Sequence, residues 1–260
     1  MDANASTNQM RTTGPETDSA VAVGLERVVR LLSQGHVELL GPILSSSNII
    51  FLTSVDDGDL QVLAIYKPCQ GERQLWDFPH GTLCLREVAA YLVSQALGWP
   101  LIPPAVLRDG PHGPGALQLY IDADPKAHYF TFREERRSDL LPVALFDVLV
   151  NNADRKGGHL LLDAGGRIWA IDNALTFHPR PKLRTVIWDF AGEPIPEEYL
   201  AALRQLQECL AGESALCKML DHLLIEEEIA ALGMRLVALL ESAVFPHPDP
   251  ARRQVPWPVV

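Results

Sequence analysis

The chain has 260 residues, 47% of them hydrophobic and 21% charged, which is a globular composition long enough to bury a core. Its formal net charge of −11 argues against non-specific contact with nucleic-acid phosphates and against docking on an anionic membrane surface. No apolar run approaches the roughly 20 residues that span a bilayer, and the polar stretch from Met1 to about Val21 has no apolar core for a secretory signal. Cys69, Cys84, Cys209 and Cys217 form no C-x-x-C pair, so a zinc site lacks support. The expectation is four reduced, mostly buried thiols in a cytoplasmic protein with no stable membrane insertion.

Residues 1–22 are rich in Ser, Thr and Asn, include a Gly-Pro pair, and read as a disordered tail. Leu25, Val28, Val29 and Leu32 fall on one helical face, and Gly35 stops that helix. Three strand-like runs follow, Val37–Ile43, Asn48–Val55 and Leu60–Tyr66, separated by Ser45-Ser46-Ser47 and by Asp56-Asp57-Gly58-Asp59. After a loop over Pro68–Gly81, the pattern predicts a helix over Leu83–Leu97. Two more strands follow, Ala105–Leu107 and Ala116–Ile121, around the loop Asp109–Gly115. This makes residues 23–124 an antiparallel sheet of about five strands with one inserted helix. Residues 125–245 read differently: an apolar helix over Leu140–Val150, two short strands over His159–Leu162 and Ile168–Ile171, then helices over Tyr199–Leu210, Ala215–Leu224 and Glu226–Val244. Residues 246–260 carry five prolines and read as an extended tail. The fold class expected is α+β, two-lobed, with a ligand cleft between the lobes.

Two segments carry chemistry. Asn151-Asn152-Ala153-Asp154-Arg155-Lys156-Gly157-Gly158-His159 precedes one short strand, and Ile168-Trp169-Ala170-Ile171-Asp172-Asn173 ends the next. Each aspartate alone reads as a turn residue. Together, 18 residues apart on one hairpin, they suit phosphoryl transfer. One carboxylate orients or deprotonates an acceptor hydroxyl, and the other holds Mg²⁺ against nucleotide phosphates, because Mg²⁺ prefers hard oxygen ligands.

Ala170-Ile171-Asp172-Asn173-Ala174-Leu175-Thr176-Phe177 resembles the Ala-Ile-Asp-Asn-Gly-Leu-x-Phe segment of type II phosphatidylinositol 4-kinases, and Asn152-Ala153-Asp154-Arg155 resembles their Asn-Thr-Asp-Arg catalytic loop. HipA-type kinases share the general pattern. From about Val37 to Val244 the chain is similar to a small bacterial family described as phosphatidylinositol-kinase-like. The resemblance implies a two-lobed kinase-like fold using ATP with Mg²⁺ or Mn²⁺. It makes Asp154 the catalytic-loop aspartate and Asp172 the metal-binding one. It makes Lys67 the strand lysine that reaches phosphate as a point charge, and Glu87 its ion-pair partner on the following helix. Read alone, Lys67 is equally an ordinary strand-end lysine and Glu87 a solvated surface carboxylate.

Two departures qualify this picture. His159 stands five residues after Asp154, where the family pattern has a metal-holding asparagine. Imidazole suits softer metals, so binding Mn²⁺, contacting phosphate and leaving metal alone all stay open. Asn173 could supply another oxygen. No G-x-G-x-x-G is present; the candidate phosphate loop is Gly41–Asn48, with the Ser45, Ser46 and Ser47 hydroxyls, which reads equally well as a plain hairpin turn. Gln118, Leu119, Tyr120 and Ile121 form the expected lobe connector that receives a purine, or else a plain edge strand. In the loop before the helix, Trp76 and Phe78 read slightly better as anchors onto the first lobe than as walls of the cleft. The expected reaction is ATP- and metal-dependent transfer to a hydroxyl acceptor, a protein or small molecule sooner than a lipid. A nucleotide-binding pseudokinase and a nucleotidyl transferase are the alternatives.

Overall fold

The computed structural model describes residues 17–44 and 48–260, with side chains from residue 24 on. The first lobe is an antiparallel sheet of order β1-β2-β3-β5-β4, built from β1 (His36–Pro42), β2 (Phe51–Asp56), β3 (Gln61–Pro68), β4 (Ala105–Gly110) and β5 (Gly113–Leu119). The acidic turn sets the β2–β3 hairpin: Asp56 Oδ1 accepts the Gly58 N–H at 2.7 Å and Asp57 Oδ1 accepts the Leu60 N–H at 3.1 Å. Asp57 also takes a two-pronged bond from Arg27, at 2.5 and 2.9 Å, which ties the first helix to this hairpin. That helix, α1 (Thr17–Gln34), is longer than the apolar stripe predicts, because Ala20 and Ala22 continue it toward the N-terminus. The rest of the expected tail, residues 1–16, lies outside the described residues. Leu31 and Leu32 of α1 pack with Val55, Ala64, Tyr66 and Leu117 on one side of the sheet.

On β3 the side chains alternate. Ala64 and Tyr66 enter that core, while Ile65 and Lys67 face the opposite side and line a cleft. Gly115 of β5 makes this close pairing possible, since a Cβ there would sit 2.6 Å from the Lys67 carbonyl oxygen. The loop expected over Asp109–Gly115 contracts to the two residues Pro111 and His112 between β4 and β5.

Helix α2 (Leu83–Ala96) crosses between the lobes. Its Val88, Val93 and Leu97 neighbourhood belongs to the same continuous core as Leu145 and Phe146 of α4 (Arg137–Val150) and Leu236 of α7 (Glu226–Ser242). The second lobe also holds the short α3 (Tyr129–Phe132), absent from the sequence reading, the hairpin β6 (Leu160–Leu162)–β7 (Ile168–Ala170), α5 (Glu197–Ala211) and α6 (Ala215–Asp221). Among the described residues, no helix is long and apolar enough to cross a membrane.

One expectation is corrected. The four cysteines are not all thiols: Cys69 and Cys84 form a disulfide with a Cα–Cα separation of 5.7 Å, leaving Cys209 and Cys217 free. The sequence separation of 15 hid this, because only the turn after β3 brings Cys69 to the first turn of α2. The proline-rich segment is hydrogen-bonded to the second lobe. Gln254 O accepts the Thr185 N–H and the Trp188 indole N–H, both at 3.1 Å, and Val259 O accepts the Gly157 N–H at 2.7 Å. The Arg252 guanidinium adds a bond in the other sense, donating to Pro181 O at 3.1 Å.

The lobes are pinned by a buried ion pair, Arg86 of α2 with Glu228 of α7, and Arg86 Nε also donates to Thr176 O at 3.1 Å. Removing one partner strands a buried charge, so Glu228→Ala should cost about 3–5 kcal/mol in urea unfolding, whereas Arg86→Met with Glu228→Leu should recover most of it. A loss within the about 1 kcal/mol of a surface pair would contradict the pinning role.

Candidate active site

The cleft between sheet and second lobe has a volume of about 560 Å³. Lys67 enters it from the end of β3. Its ammonium pairs with Glu87 of α2 and stands 3.5 Å from Asp172 Oδ1. Burial disfavours the lysine charge, but the Glu87 and Asp172 carboxylates outweigh it and hold the ammonium above its ordinary range. Burial pushes the Glu87 carboxyl up, against the pull of Lys67. The second Glu87 oxygen accepts the Asn173 N–H at 3.1 Å, so one carboxylate joins the strand lysine to the loop after β7.

Asp172 lies two residues beyond β7 in a left-handed backbone conformation, φ 56°, which Asp tolerates better than most residues. The turn aims its carboxylate into the cleft, with the side chain 49% exposed. Partial burial alone would raise this carboxyl; Lys67, with His159, Lys156 and Arg155, overrides that and holds it at about 2. His159 Nε2 lies 3.3 Å from Asp172 Oδ2, and its Nδ1 accepts the Lys156 N–H at 3.4 Å. Burial lowers this imidazole to about 4, with the cations Arg155, Lys156 and Lys67 working against the pull of Asp172. A neutral ring whose Nδ1 accepts carries its proton on Nε2, the nitrogen that faces Asp172.

Asp154 sits just beyond the residues that line the cleft. It is half-buried, and Lys156, which does line the cleft, pairs with it at 3.2 Å. Burial pushes the Asp154 carboxyl up, Lys156 opposes this, and nearby Asp172 adds to it. Asn173 does not reach the cleft: it is fully buried, and its side-chain oxygen accepts from Arg155 at 2.6 Å. Ser45, Ser46 and Ser47 lie outside the described residues, although flanking Ile43 and Asn48 line the cleft. Gln118, Leu119, Tyr120 and Ile121 form its far wall, and the Gln118 amide nitrogen is buried there with no partner among the described residues. Trp76 and Phe78 divide. Phe78 is buried with Leu83, Ala153 and Ala174, while Trp76 is 92% exposed, its ring 5.0 Å from the Lys182 ammonium.

Sequence reading passed over the group that holds the two loops together. Buried Arg155 donates to Asp147 of α4 at 3.0 Å, to Ile171 O at 2.7 Å and to Asn173. Asp147 also accepts from Asn152 at 2.9 Å. Asp147 within the otherwise apolar run Leu140–Val150 was the available signal, since a buried carboxylate requires a partner.

No protein-family model matches the chain. Protein Rv2133c of Mycobacterium tuberculosis is 40% identical over 263 residues, covering 88% of this chain and 94% of that protein, and the chain belongs to its family. Among solved structures, hydra Fam20 with sugar matches with a TM-score of 0.52 and 17% identity over 88% of this chain and 90% of that one. The Golgi casein kinase with Mn and ADP bound matches with a TM-score of 0.53 and 12% identity, over 88% and 81% of the two chains. The fold is therefore kinase-like, α+β, with an antiparallel first lobe and a helical second lobe.

The His159 geometry sets a pH dependence. Its folded-state value of about 4 lies below the roughly 6.5 of a free imidazole, so between these the unfolded chain holds a proton that the native one lacks. Its stabilisation is complete above about pH 6.5 and is lost as pH falls toward about 4. The unfolding midpoint should drop less in His159→Gln than in the wild type between about pH 7 and 4.5; parallel curves would exclude a buried neutral imidazole.

Proposed function

We propose that this chain is an ATP- and divalent-metal-dependent phosphotransferase that transfers the γ-phosphoryl group to a hydroxyl acceptor. The observation that carries the reading is one ammonium, Lys67, held between Glu87 and Asp172 at the mouth of an interlobe cleft. The motif resemblance to type II phosphatidylinositol 4-kinases and HipA-type kinases supports it, as does the likeness to a kinase whose structure holds Mn and ADP.

The residues fit a nucleotide. Ile65, Leu119, Leu161 and Ile171 offer apolar walls for a base, and the unpartnered Gln118 amide supplies a buried donor at the same end. Lys67 and Lys156 supply positive charge for phosphates, beside the carboxylates Glu72, Glu87 and Asp172 that line the same cleft. The residues also fit a hard cation. Asp172 is exposed to the cleft and stays ionised far below neutral pH, and Mg²⁺ typically takes one or two carboxylates along with phosphate oxygens. When bound there, the ion would neutralise phosphate charge. His159 serves by fixing the Asp172 carboxylate through Nε2, and Asn173 by locking the loop through Arg155.

Asp154 would accept the acceptor's hydroxyl proton as the oxygen–phosphorus bond forms and the bond to ADP breaks. Its upward shift brings it closer to a working base, although positioning is the larger part of such catalysis. A protein or small molecule fits the acidic surface better than an anionic lipid. A second reading, nucleotide binding without turnover, draws on His159 occupying one of the two Asp172 oxygens.

Titrating ATP with Mg²⁺ or Mn²⁺ into the folded protein should raise its unfolding midpoint; binding at a hundred times Kd stabilises by about 2.7 kcal/mol. Asp172→Ala and Lys67→Met should abolish the metal-dependent shift. Asp154→Ala should keep it and lose transfer, detected as a phosphate mass added to an acceptor or to the protein itself. No shift with any metal would overturn the nucleotide reading. A shift with no transfer would favour the pseudokinase, and a nucleotidyl mass would reassign the chemistry.

A further inference from the structure

The Cys69–Cys84 disulfide takes no part in the transfer, yet it sits where the parts of the cleft meet. Cys69 follows Lys67 by two residues and Cys84 precedes Glu87 by three. The disulfide and the Lys67–Glu87 ion pair therefore close one ring between β3 and α2. The turn within that ring also grips the first hairpin. Gly71 O accepts the Ile49 N–H at 2.9 Å, and the Arg73 N–H donates to Asn48 Oδ1 at 2.8 Å. Gly71 is required for this approach, because a Cβ there would lie 2.7 Å from Ile49 O. Glu72 completes the joint: one oxygen accepts the Cys84 N–H at 2.7 Å, and the other is buried without a partner among the described residues.

We propose that Cys69–Cys84 is a thiol–disulfide exchange site whose oxidation state sets the nucleotide affinity of the cleft. The proposal rests on the nucleotide reading above. Cys69 is the more exposed partner and Cys84 is buried. A thiolate of a dithiol reductant attacks the Cys69 sulfur, the disulfide breaks, and Cys84 leaves as thiolate. The second thiol of the reductant then closes on its own sulfur and releases Cys69. Two electrons pass to the protein, and the reductant ends as a disulfide. Once the bond is open, only hydrogen bonds hold the turn 69–73. Lys67, Glu87 and the Asn48–Ile50 wall are then no longer pre-organised for phosphate, and ordering them on binding lowers affinity.

The experiment uses the full chain purified without reductant. Thiol titration under denaturing conditions should give two free thiols, rising to four after dithiothreitol. The dissociation constant for ATP with Mg²⁺ or Mn²⁺ should weaken about tenfold or more on reduction, within the usual range of coupling between sites, and recover on reoxidation. Cys69→Ser should show the weak value in both conditions. Hydrogen exchange should lose protection over residues 48–50, 67–73 and 83–87 while circular dichroism stays unchanged. Reduction alters no residue, so the comparison survives a variant that fails to fold. Four thiols before reduction, or equal affinity in the two redox states, overturns the proposal and leaves the nucleotide reading standing. No binding in either state overturns both.

Discussion

The site is organised around a single buried ammonium. Lys67 has an exposure of only 17%, so its charge must be met within the protein, and two carboxylates meet it. This forces β3, α2 and the loop after β7 to converge, although they lie far apart in the chain. Glu87 extends the arrangement by accepting the Asn173 backbone N–H with its second oxygen. Asp172 is held ionised by the same charge. One electrostatic requirement thus fixes the spacing of the lobes, the aim of a strained turn and the protonation of a candidate metal ligand.

A second polar hub lies beneath this one. Arg155 and Asp147 are fully buried and mutually paired, and together they bond to Asn152, Ile171 O and Asn173. Such a network stabilises little relative to a well-packed apolar core, but it admits one arrangement of the two loops. Asp154 and Asp172 are thereby positioned from below, while Phe78 packs against Ala153 and Ala174, the residues beside them, from the first lobe. Asp172 faces the cleft on a base that cannot shift without stranding a charge.

The proline-rich segment and the Asp77–Lys182 pair, 2.6 Å apart, show how coil regions contribute to the site. Pro258 lines the cleft and Val259 accepts from the Gly157 backbone, so residues remote in sequence support the stretch between Asp154 and His159. Asn151 plays a similar part: in a left-handed turn its side chain donates to His178 O and Arg180 O, both at 2.8 Å.

Sequence alone determined the order of lobes, the five-stranded sheet, most helices and the two aspartate segments. Each is a local matter of periodicity, turn chemistry or contiguous motif, and Lys67 before a helix bearing Glu87 is nearly as local. Only the tertiary structure decided what lies across the chain. It paired Cys69 with Cys84, gave Phe78 to the core and Trp76 to solvent, buried Asn173 on Arg155, and brought Pro258 to the cleft. It also turned His159 toward the Asp172 carboxylate, through the N–H that Lys156 donates to its other nitrogen. A residue's type states which partners it can accept, but the distance to each partner, and hence its charge and role, exists only once the chain has closed on itself.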